Sequence, residues 1–501
     1  MKLPAYVVRA GAWAAVAAAV GGGMGGCKEP AVDRAAELQR FQTEIHKRAD
    51  SLEIKPGAIL SMGECEEIAL QNNLNLAVSR LALRLQDDQV RLAMAGALPH
   101  ANAVYDNSRR GNSAAVAFGG QELSMADQTQ QNFTIGATVP VLDYGMTYYA
   151  WQIAKDQRTQ QRLLLVRAGQ ELRRDVRIAY AKHAGALRQV KLSQINVLAA
   201  ERVLKVGETM ERESLATHAD VAVLRAALAQ TQVDLTVEQR RVEETRLGLM
   251  QLLSLPPDRV IGIDDKLPEL PLPPTDEALA GLEDHALMVR PELQVQDLQR
   301  HISAYNVKRE VAAFFPRIDA NGSFNWGSNS FSANPAFFMY GFQIANSLLD
   351  GTSQIWRYGL ADKTRTVEEE RTLLLSLGVI YDVNLRALQM QRDRETIRAL
   401  EVTEDARKKA FDEIVSLYKE GFETEAGTAK ALAELNIQSL GVDKAQTDYL
   451  VTWFEFEDAT LAEMPAPATT TAPTTPNTHP TAPSVATQPI AGTGLEKGNV
   501  K

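Results

Sequence analysis

The chain has 501 residues, 45% hydrophobic and 23% charged, enough to bury a core. Its formal net charge of −10 argues against nucleic acid as a partner. Its two cysteines cannot build a disulfide framework.

Residues 1–26 read as an export signal peptide. Lys2 and Arg9 give a basic start, and the apolar run from Ala10 to Val20 is too short to span a bilayer. The run Met24-Gly25-Gly26-Cys27 then resembles the lipobox of bacterial lipoproteins, with methionine where leucine is usual. This predicts acylation of Cys27 and an acylated N-terminal segment over 27–55. No other segment reaches the length of a membrane-spanning apolar helix. Cys65, at the start of a helix, is expected to be a small core residue and not a nucleophile.

A helical pattern runs over 68–97 and stops at Pro99. A strand is expected over 101–107, then a polar, Gly-containing loop over 108–131. The next strand is marked by Phe133, Ile135, Ala137, Val139 and Val141 alternating with mostly polar residues. Asp143-Tyr144-Gly145 turns the chain into a proline-free helix over 148–212, roughly 100 Å long. Its seam is Leu172, Val176, Ala179, His183, Ala186, Val190, Ser193, Val197, Ala200 and Leu204. That spacing averages 3.5 residues, the period of a left-handed coiled coil. The small row Ala179, Ala186, Ser193 and Ala200 lets a partner helix approach closely. His183 is expected to pack on the seam and not to bind a ligand. After a polar break at 213–217, a second helix over 220–253 turns Val221, Leu224, Leu228, Leu235, Val242 and Leu249 inward, so the two form an antiparallel hairpin. Prolines at 256, 257, 268, 271, 273 and 274 mark a linker over 256–275.

The second half repeats the first. At an offset of 217, Ala69-Leu70 falls on Ala286-Leu287, Leu76 on Leu293 and Pro99 on Pro316. Beyond the first loop the offset is 207: Phe133 falls on Tyr340, Asp143 on Asp350, Asp175-Val176 on Asp382-Val383 and Ser214-Leu215 on Gly421-Phe422. The repeats are expected over 56–255 and 276–464. Ile318, Ala320, Gly322, Phe324 and Trp326 form one apolar row; Phe338, Tyr340, Phe342 and Ile344 form another. In the following long helix, Val379, Val383, Met390, Ile397 and Leu400 keep a seam that Arg386, Asp393, Glu404 and Arg407 interrupt. The Ala/Pro/Thr-rich tail, 465–501, has too few large apolar residues to fold.

Four strands of about ten residues, each with one apolar face, have the length that crosses an outer membrane. Four cannot close a barrel, and an open edge cannot survive in lipid. Subunits must therefore pool strands: two would give eight, and three would give twelve with room for a channel.

Several pieces together resemble the TolC family of outer-membrane efflux ducts. They are Glu64-Cys65-Glu66-Glu67-Ile68-Ala69-Leu70-Gln71-Asn72-Asn73-Leu74, the ends Leu98-Pro99 and Phe315-Pro316, the Leu-Asp turns at Asp143 and Asp350, and the hairpin tips Ser214-Leu215-Ala216-Thr217 and Tyr418-Lys419-Glu420-Gly421-Phe422. The resemblance covers residues 56–462. It implies a mainly α chain with a membrane β-barrel, built from two internal repeats of helix, β-hairpin and long helical hairpin. It also implies a homotrimer that forms a periplasmic α-barrel and shares one twelve-stranded β-barrel in outer-membrane lipid. The implied function is the passive outer-membrane channel of a tripartite efflux system, fed by an inner-membrane transporter through a periplasmic adaptor protein. A duct for type I protein secretion and a structural coiled-coil lipoprotein are the alternatives; the latter has no need of four amphipathic strands. No nucleic acid, cofactor, metal or catalytic residue is expected, since GxxxxGK[ST] and HExxH are both absent.

By the resemblance, the adaptor-contact tips are Glu213, Ser214, Leu215 and Ala216, and Glu420, Gly421, Phe422 and Glu423. The periplasmic mouth is Asp220, Tyr418 and Lys430. Family members often hold the mouth shut with aspartates just after the second tip. Here Gly427 and Lys430 stand in those places, and only Asp220 after the first tip keeps the acid. Arg212 and Lys430 are its expected partners.

Overall fold

The computed structural model describes residues 33–462 except 53, 55, 56, 113, 120, 260 and 346–350. The signal peptide, Cys27, Asp350 and the 465–501 tail lie outside the described residues.

Helix α1, Arg34–Ser51, starts at Asp33, whose carboxylate accepts from the Ala35 amide. Strand β1, Ile59–Leu60, follows. Helix α2, Met62–Asn72, opens in a capping box: Ser61 N donates to Glu64 Oε2 at 2.7 Å, and Glu64 N donates to Ser61 Oγ at 3.4 Å. The expected helix over 68–97 is broken at Asn73, whose ψ of 126° leaves the helical range; α3, Leu74–Ala95, then restarts under the Asn73 side chain.

Strand β2, His100–Arg109, precedes a segment expected to be irregular. Instead it folds into a hairpin of β3, Ala114–Phe118, and β4, Gln121–Ala126. Strand β5, Thr129–Leu142, ends at Asp143, whose carboxylate accepts from the amides of Gly145 and Thr147 at 3.0 and 2.8 Å. That turn takes two left-handed residues in a row, Tyr144 at φ 52° and Gly145 at φ 90°, and at the second glycine carries no Cβ penalty. Helix α4, Met146–Arg212, has 67 residues, and α5, His218–Leu253, has 36.

Strand β6, Gly262–Ile263, pairs in parallel with β1. Helices α6, Asp276–Val289, and α7, Pro291–Ala312, lead to β7, Arg317–Gly327, and β8, Ala336–Ala345. Helix α8, Gly351–Lys419, has 69 residues and α9, Glu425–Thr460, has 36.

The main sheet runs β2-β5-β7-β8, antiparallel throughout. Its central pairing, β5 with β7, sets Phe133 opposite Trp326 and Ile135 opposite Phe324, and so joins the two halves. Strands β2 and β8 are left as edges. On β8, Phe338, Tyr340, Phe342 and Ile344 are all exposed.

One apolar core contains Cys65, Leu76, Val176, Tyr180, Leu249 and Leu253; the other contains Leu293, Val383, Met390, Tyr449, Trp453 and Phe456. The proline-rich segment between the halves packs into both. Leu255, Ile261 and Ile263 lie in the first core, Leu270 lies against the second, and Tyr449 Oη donates to Pro271 O at 2.5 Å. All ten seam positions on α4 are buried or half-buried. One window of α8 is apolar enough, by length and composition, to cross a membrane. Its exposed residues Leu360, Val367, Leu374, Tyr381 and Leu388 recur every seven, which marks a coiled-coil stripe and not an apolar cylinder.

The polar residues that interrupt the α8 seam face α9. Arg386 pairs with Glu455, Thr452 Oγ1 donates to Asp393 at 2.9 Å, Ser439 Oγ donates to Glu404 at 2.5 Å, and Arg407 donates to Glu434 at 2.6 Å. They form four rungs down one antiparallel helix pair.

Candidate functional site

The two helical hairpins end in tips of one design. At the first, Ser214 is left-handed at φ 60°, and Leu215 N donates to Met210 O at 2.8 Å. At the second, Gly421 has φ 83°, and Phe422 N donates to Leu417 O at 2.9 Å. These are the helix C-terminal turns that let orphan carbonyls find donors. Each turn pushes an apolar side chain outward: Leu215 is 69% exposed and Phe422 80%. Glu213, Ser214, Glu420 and Gly421 are also exposed, whereas Ala216 and Glu423 are half-buried.

The return helices start at Thr217 and Thr424, and here the tips differ. Thr217 Oγ1 accepts from Asp220 N at 3.2 Å, while Asp220 Oδ2 accepts from Thr217 N at 3.0 Å and Thr217 Oγ1 at 2.7 Å. These bonds hold the Asp220 carboxyl below the usual carboxylate range. At the second tip Thr424 Oγ1 accepts from Gly427 N at 3.0 Å, but position 427 has no carboxylate. Glu423 takes over: its Oε1 accepts from Thr424 N at 2.8 Å and Thr424 Oγ1 at 3.2 Å. A Cβ at Gly427 would lie 2.3 Å from that oxygen, so the missing side chain is the space the Glu423 carboxylate fills. Sequence reading placed Glu423 among the adaptor contacts and did not find this capping role.

Within this chain Asp220 meets neither of its expected partners. Arg212 turns back onto its own helix, donating to Glu208 O at 3.2 Å and Thr209 Oγ1 at 3.0 Å. Lys430 is exposed and forms no ion pair among the described residues, and Tyr418 is exposed beside the second tip. His218 instead bonds Glu211 across the first tip.

Above the tips the halves are joined by ion pairs. Arg167 on α4 pairs with Asp458 on α9 through two bonds of 2.9 Å, and with Glu292 at 2.7 Å. Arg177 bridges Glu66 and Glu457, each at 2.7 Å. Cys65 is fully buried, and burial pushes its thiol up to about 12, so it is an unreactive core residue. His183 is buried on the seam. Thr245 Oγ1 donates to Arg241 O at 2.8 Å, which leaves that hydroxyl oxygen to accept from His183 Nδ1 at 3.0 Å. Among the described residues no three His, Cys, Asp or Glu side chains are placed to hold a metal.

Between sheet and helices lies an aromatic layer. Tyr144 stacks on Phe315 at 4.7 Å, Tyr149 on Tyr305 at 6.1 Å, and Lys155 lies 4.6 Å over Trp151. An amphipathic sheet on an aromatic collar, continued by long helical hairpins, is the architecture of an outer-membrane channel. The sequence matches the family described as outer membrane efflux protein over residues 67–254 and 282–455, and the chain belongs to that family. It is 23% identical over 362 residues to the pyoverdine export outer membrane protein OpmQ of Pseudomonas aeruginosa, covering 71% of this chain and 75% of that one. With OpmQ of Pseudomonas putida it shares 23% over 270 residues, 53% of this chain and little more than half, 56%, of that relative. The fold matches the CmeC outer membrane channel of Campylobacter jejuni with a TM-score of 0.67 at 12% identity, over 80% of this chain and 85% of that one.

Proposed function

We propose that this chain is the outer-membrane duct of a tripartite efflux system, working as a homotrimer with a periplasmic adaptor and an inner-membrane pump. The carrying observation is the sheet with two unpaired edges. Strand β2 leads back to α3, whose exposed Leu74, Val78, Leu81, Leu85 and Leu92 keep a 3.5-residue period. Strand β8 leads on to α8, whose exposed Leu360, Val367, Leu374, Leu377, Tyr381 and Leu388 keep the same period. Each edge thus comes with an unpartnered coiled-coil seam, and pairing β8 of one copy with β2 of the next covers both at once. Three copies close twelve strands, with the aromatic layer at the periplasmic boundary of the lipid.

The tips then form the periplasmic end. Leu215 and Phe422 are the apolar contacts offered to the adaptor, and Asp220, Tyr418 and Lys430 border the mouth. Asp220 is engaged in its own cap, so a charge ring there needs partners from a neighbouring copy. Cys27, acylated, adds a lipid anchor. Relatives named for pyoverdine export favour efflux of a small solute over type I protein secretion.

Mass measurement of the purified protein in mild detergent tests the assembly. Three chains per particle are expected; a stable monomer with all four strands formed rejects the reading. Mass spectrometry of the mature amino terminus should find acyl chains on Cys27, and an unmodified terminus elsewhere removes the anchor.

A further inference from the structure

The four-stranded sheet has two unlike faces, and the strand register fixes which side chains share each. Phe338, Tyr340, Phe342 and Ile344 of β8 share one face with Ile318, Phe324 and Trp326 of β7, and the rings of Phe324 and Phe338 lie 5.0 Å apart. That is the lipid side. The opposite face turns to the lumen when twelve strands close, and it is built in levels. Thr134, Asn325 and Phe337 stand at one level, Gly136, Ser323 and Met339 at the next, and Thr138, Asn321 and Gly341 at a third. Asp106 lies one level above these and Asp319 one level below. Between those two acids, His100 is the only ionisable side chain on this face among the described residues.

The polar side chains of this face are laid down along the wall. Thr134 Oγ1 donates to Asn325 Oδ1 at 3.0 Å, and Asn325 Nδ2 donates to Ser323 Oγ at 2.9 Å. Asn102 lies against Gly136 of the neighbouring strand, where a Cβ would come within 2.9 Å of its Oδ1; Asn132 lies against Gly327, where the distance would be 3.1 Å. A side chain at either glycine would lift the amide off the wall. Arg317 Nε donates to Asp319 Oδ1 at 2.7 Å, so that pair is closed on itself.

Two side chains break the pattern. Phe337 and Met339 are 51% and 58% exposed, and Gly341 follows them on the same row with no side chain. They make a raised apolar ridge on a low polar wall. A barrel lumen is ordinarily polar, and exposed apolar patches rimmed by polar groups mark binding sites. Pairing β8 with β2 of the next copy sets side chains beside the ridge and not over it, because cross-strand neighbours stand side by side on one face.

We infer that the Phe337–Met339 ridge, present three times in the closed barrel, is a weak binding site for a planar apolar ring of a solute in transit, and that the Thr134–Asn325–Ser323 band beside it takes that solute's uncharged polar groups. A ring is the occupant because an aromatic side chain and a thioether, two residues apart on one face, offer a flat and polarisable contact. The wall sets the charge: at the ridge levels a charged solute finds no counter-charge to offset the water it gives up. The inference rests on the duct reading, since only a closed barrel brings this face to passing solutes.

The test uses the full chain in mild detergent, in a Cys65→Ala background. Ser323→Cys puts a thiol opposite Met339 and leaves both ridge residues in place. Thr138→Cys puts one on the same face, two strands from β8. Labelling by a membrane-impermeant maleimide, above that of the Cys65→Ala parent, is timed alone and with N-acetyl-tryptophanamide or N-acetyl-glycinamide. Both thiols should react. At about 10 mM, N-acetyl-tryptophanamide should slow Ser323→Cys about threefold, as a site with a Kd of about 5 mM requires. It should leave Thr138→Cys unchanged, N-acetyl-glycinamide should protect neither, and adding Phe337→Ser with Met339→Ser should abolish the protection. Equal protection at both thiols, no protection, or protection that survives the two serine changes overturns the ridge while the duct stands. Reaction at Thr138→Cys but not at Ser323→Cys means that another part of the assembly covers the ridge, and overturns it too. If neither thiol reacts in a protein that elutes as the wild type does, the face does not meet water and the duct reading falls with it. Should Ser323→Cys not assemble, Asn321→Cys, one level below on the same strand, replaces it as the reporter.

Discussion

Asn73 and Arg290 hold the same break in the two halves. Both have φ −59°, with ψ 126° and 124°. Asn73 Nδ2 donates to Leu252 O at 2.8 Å and Arg290 Nε to Ala459 O at 2.7 Å, so each side chain meets the C-terminal end of a 36-residue helix. Helix ends leave carbonyls without partners, and a side-chain donor there serves them. The cation of Arg290 also suits the negative end of the helix dipole, and Asp382 accepts from its guanidinium at 2.8 Å.

This relationship predicts unequal costs. Asn73→Ala loses a helix cap and one carbonyl bond, about 2 kcal/mol together. Arg290→Ala loses a buried charged donor with two bonds, about 3 kcal/mol. Arg290→Lys should recover little, because a point donor cannot reproduce the fork that reaches both partners. Apparent melting temperatures should rank wild type, Asn73→Ala, then the two Arg290 variants. Equal temperatures would remove the helix breaks from the account of stability.

Asp458 is 9% exposed at its side chain and takes bonds from both Arg167 and Arg174 at 2.9 Å. Removing it takes one carboxylate from each arginine, but Arg167 keeps Glu292 and Glu171 and Arg174 keeps Asp175. Asp458→Ala should therefore cost about 2 kcal/mol, the loss of charge-assisted hydrogen bonds with no charge left alone. The double change Asp458→Ala with Glu292→Ala should cost more than the two single changes added, because Arg167 then loses both partners at the junction of the halves. Additive losses in melting temperature contradict this.

Much of the fold was legible because period alone carries it. The 3.5-residue seam marked α4, the strict alternation from Phe133 to Val141 marked β5, and the duplicated breaks at Ser214 and Gly421 marked the tips. The break at Asn73 was not legible, because no proline or glycine marks it and its cause is the distant Leu252 carbonyl. Arg386, Asp393, Glu404 and Arg407 were seen as interruptions of a seam, but periodicity does not say that a second helix offers each a partner. The β3–β4 hairpin was not legible because its strands have only five and six residues and neither alternates: Ala114–Phe118 is apolar throughout, and Gln121–Ala126 mixes polar and apolar residues without a period of two. At the tips, Thr217 and Asp220 spell a capping box, whereas Glu423 acts from the residue before its threonine, a spacing that the usual motif does not cover.

Burial pushes the His183 imidazole down from its ordinary 6.5 to about 4, and Arg246 pushes the same way. The folded state therefore favours the neutral ring, and the unfolded state binds more protons between those two values. Stability from this site is complete above about pH 6.5 and is lost as pH falls toward 4. His183→Gln retains a donor for Thr245 and cannot titrate. Between pH 7 and 4.5 the wild-type melting temperature should fall more steeply than that of His183→Gln; parallel falls would show that His183 is already protonated in the fold.

The second tip offers a swap between two ways of capping one helix. Gly427→Ala gains about 1 kcal/mol of helix propensity and evicts the Glu423 carboxylate from Thr424, a loss of about the same size, so net stability should barely move. Local order should move, because the Thr424 amide loses its acceptor. Hydrogen exchange at Thr424 should accelerate in Gly427→Ala and in Glu423→Ala alike. In Gly427→Asp the new carboxylate stands where Asp220 stands in the first tip, and protection at Thr424 should return while Glu423 is released to solvent. That variant separates the cap from the charge: it restores the turn and moves one carboxylate per chain outward, beside Phe422. If adaptor binding follows Phe422 and the shape of the turn, Gly427→Asp should bind like the wild type and Phe422→Ala should not. If Gly427→Asp instead binds as weakly as Glu423→Ala, the position of the Glu423 charge is what the adaptor reads, and the apolar contact is secondary.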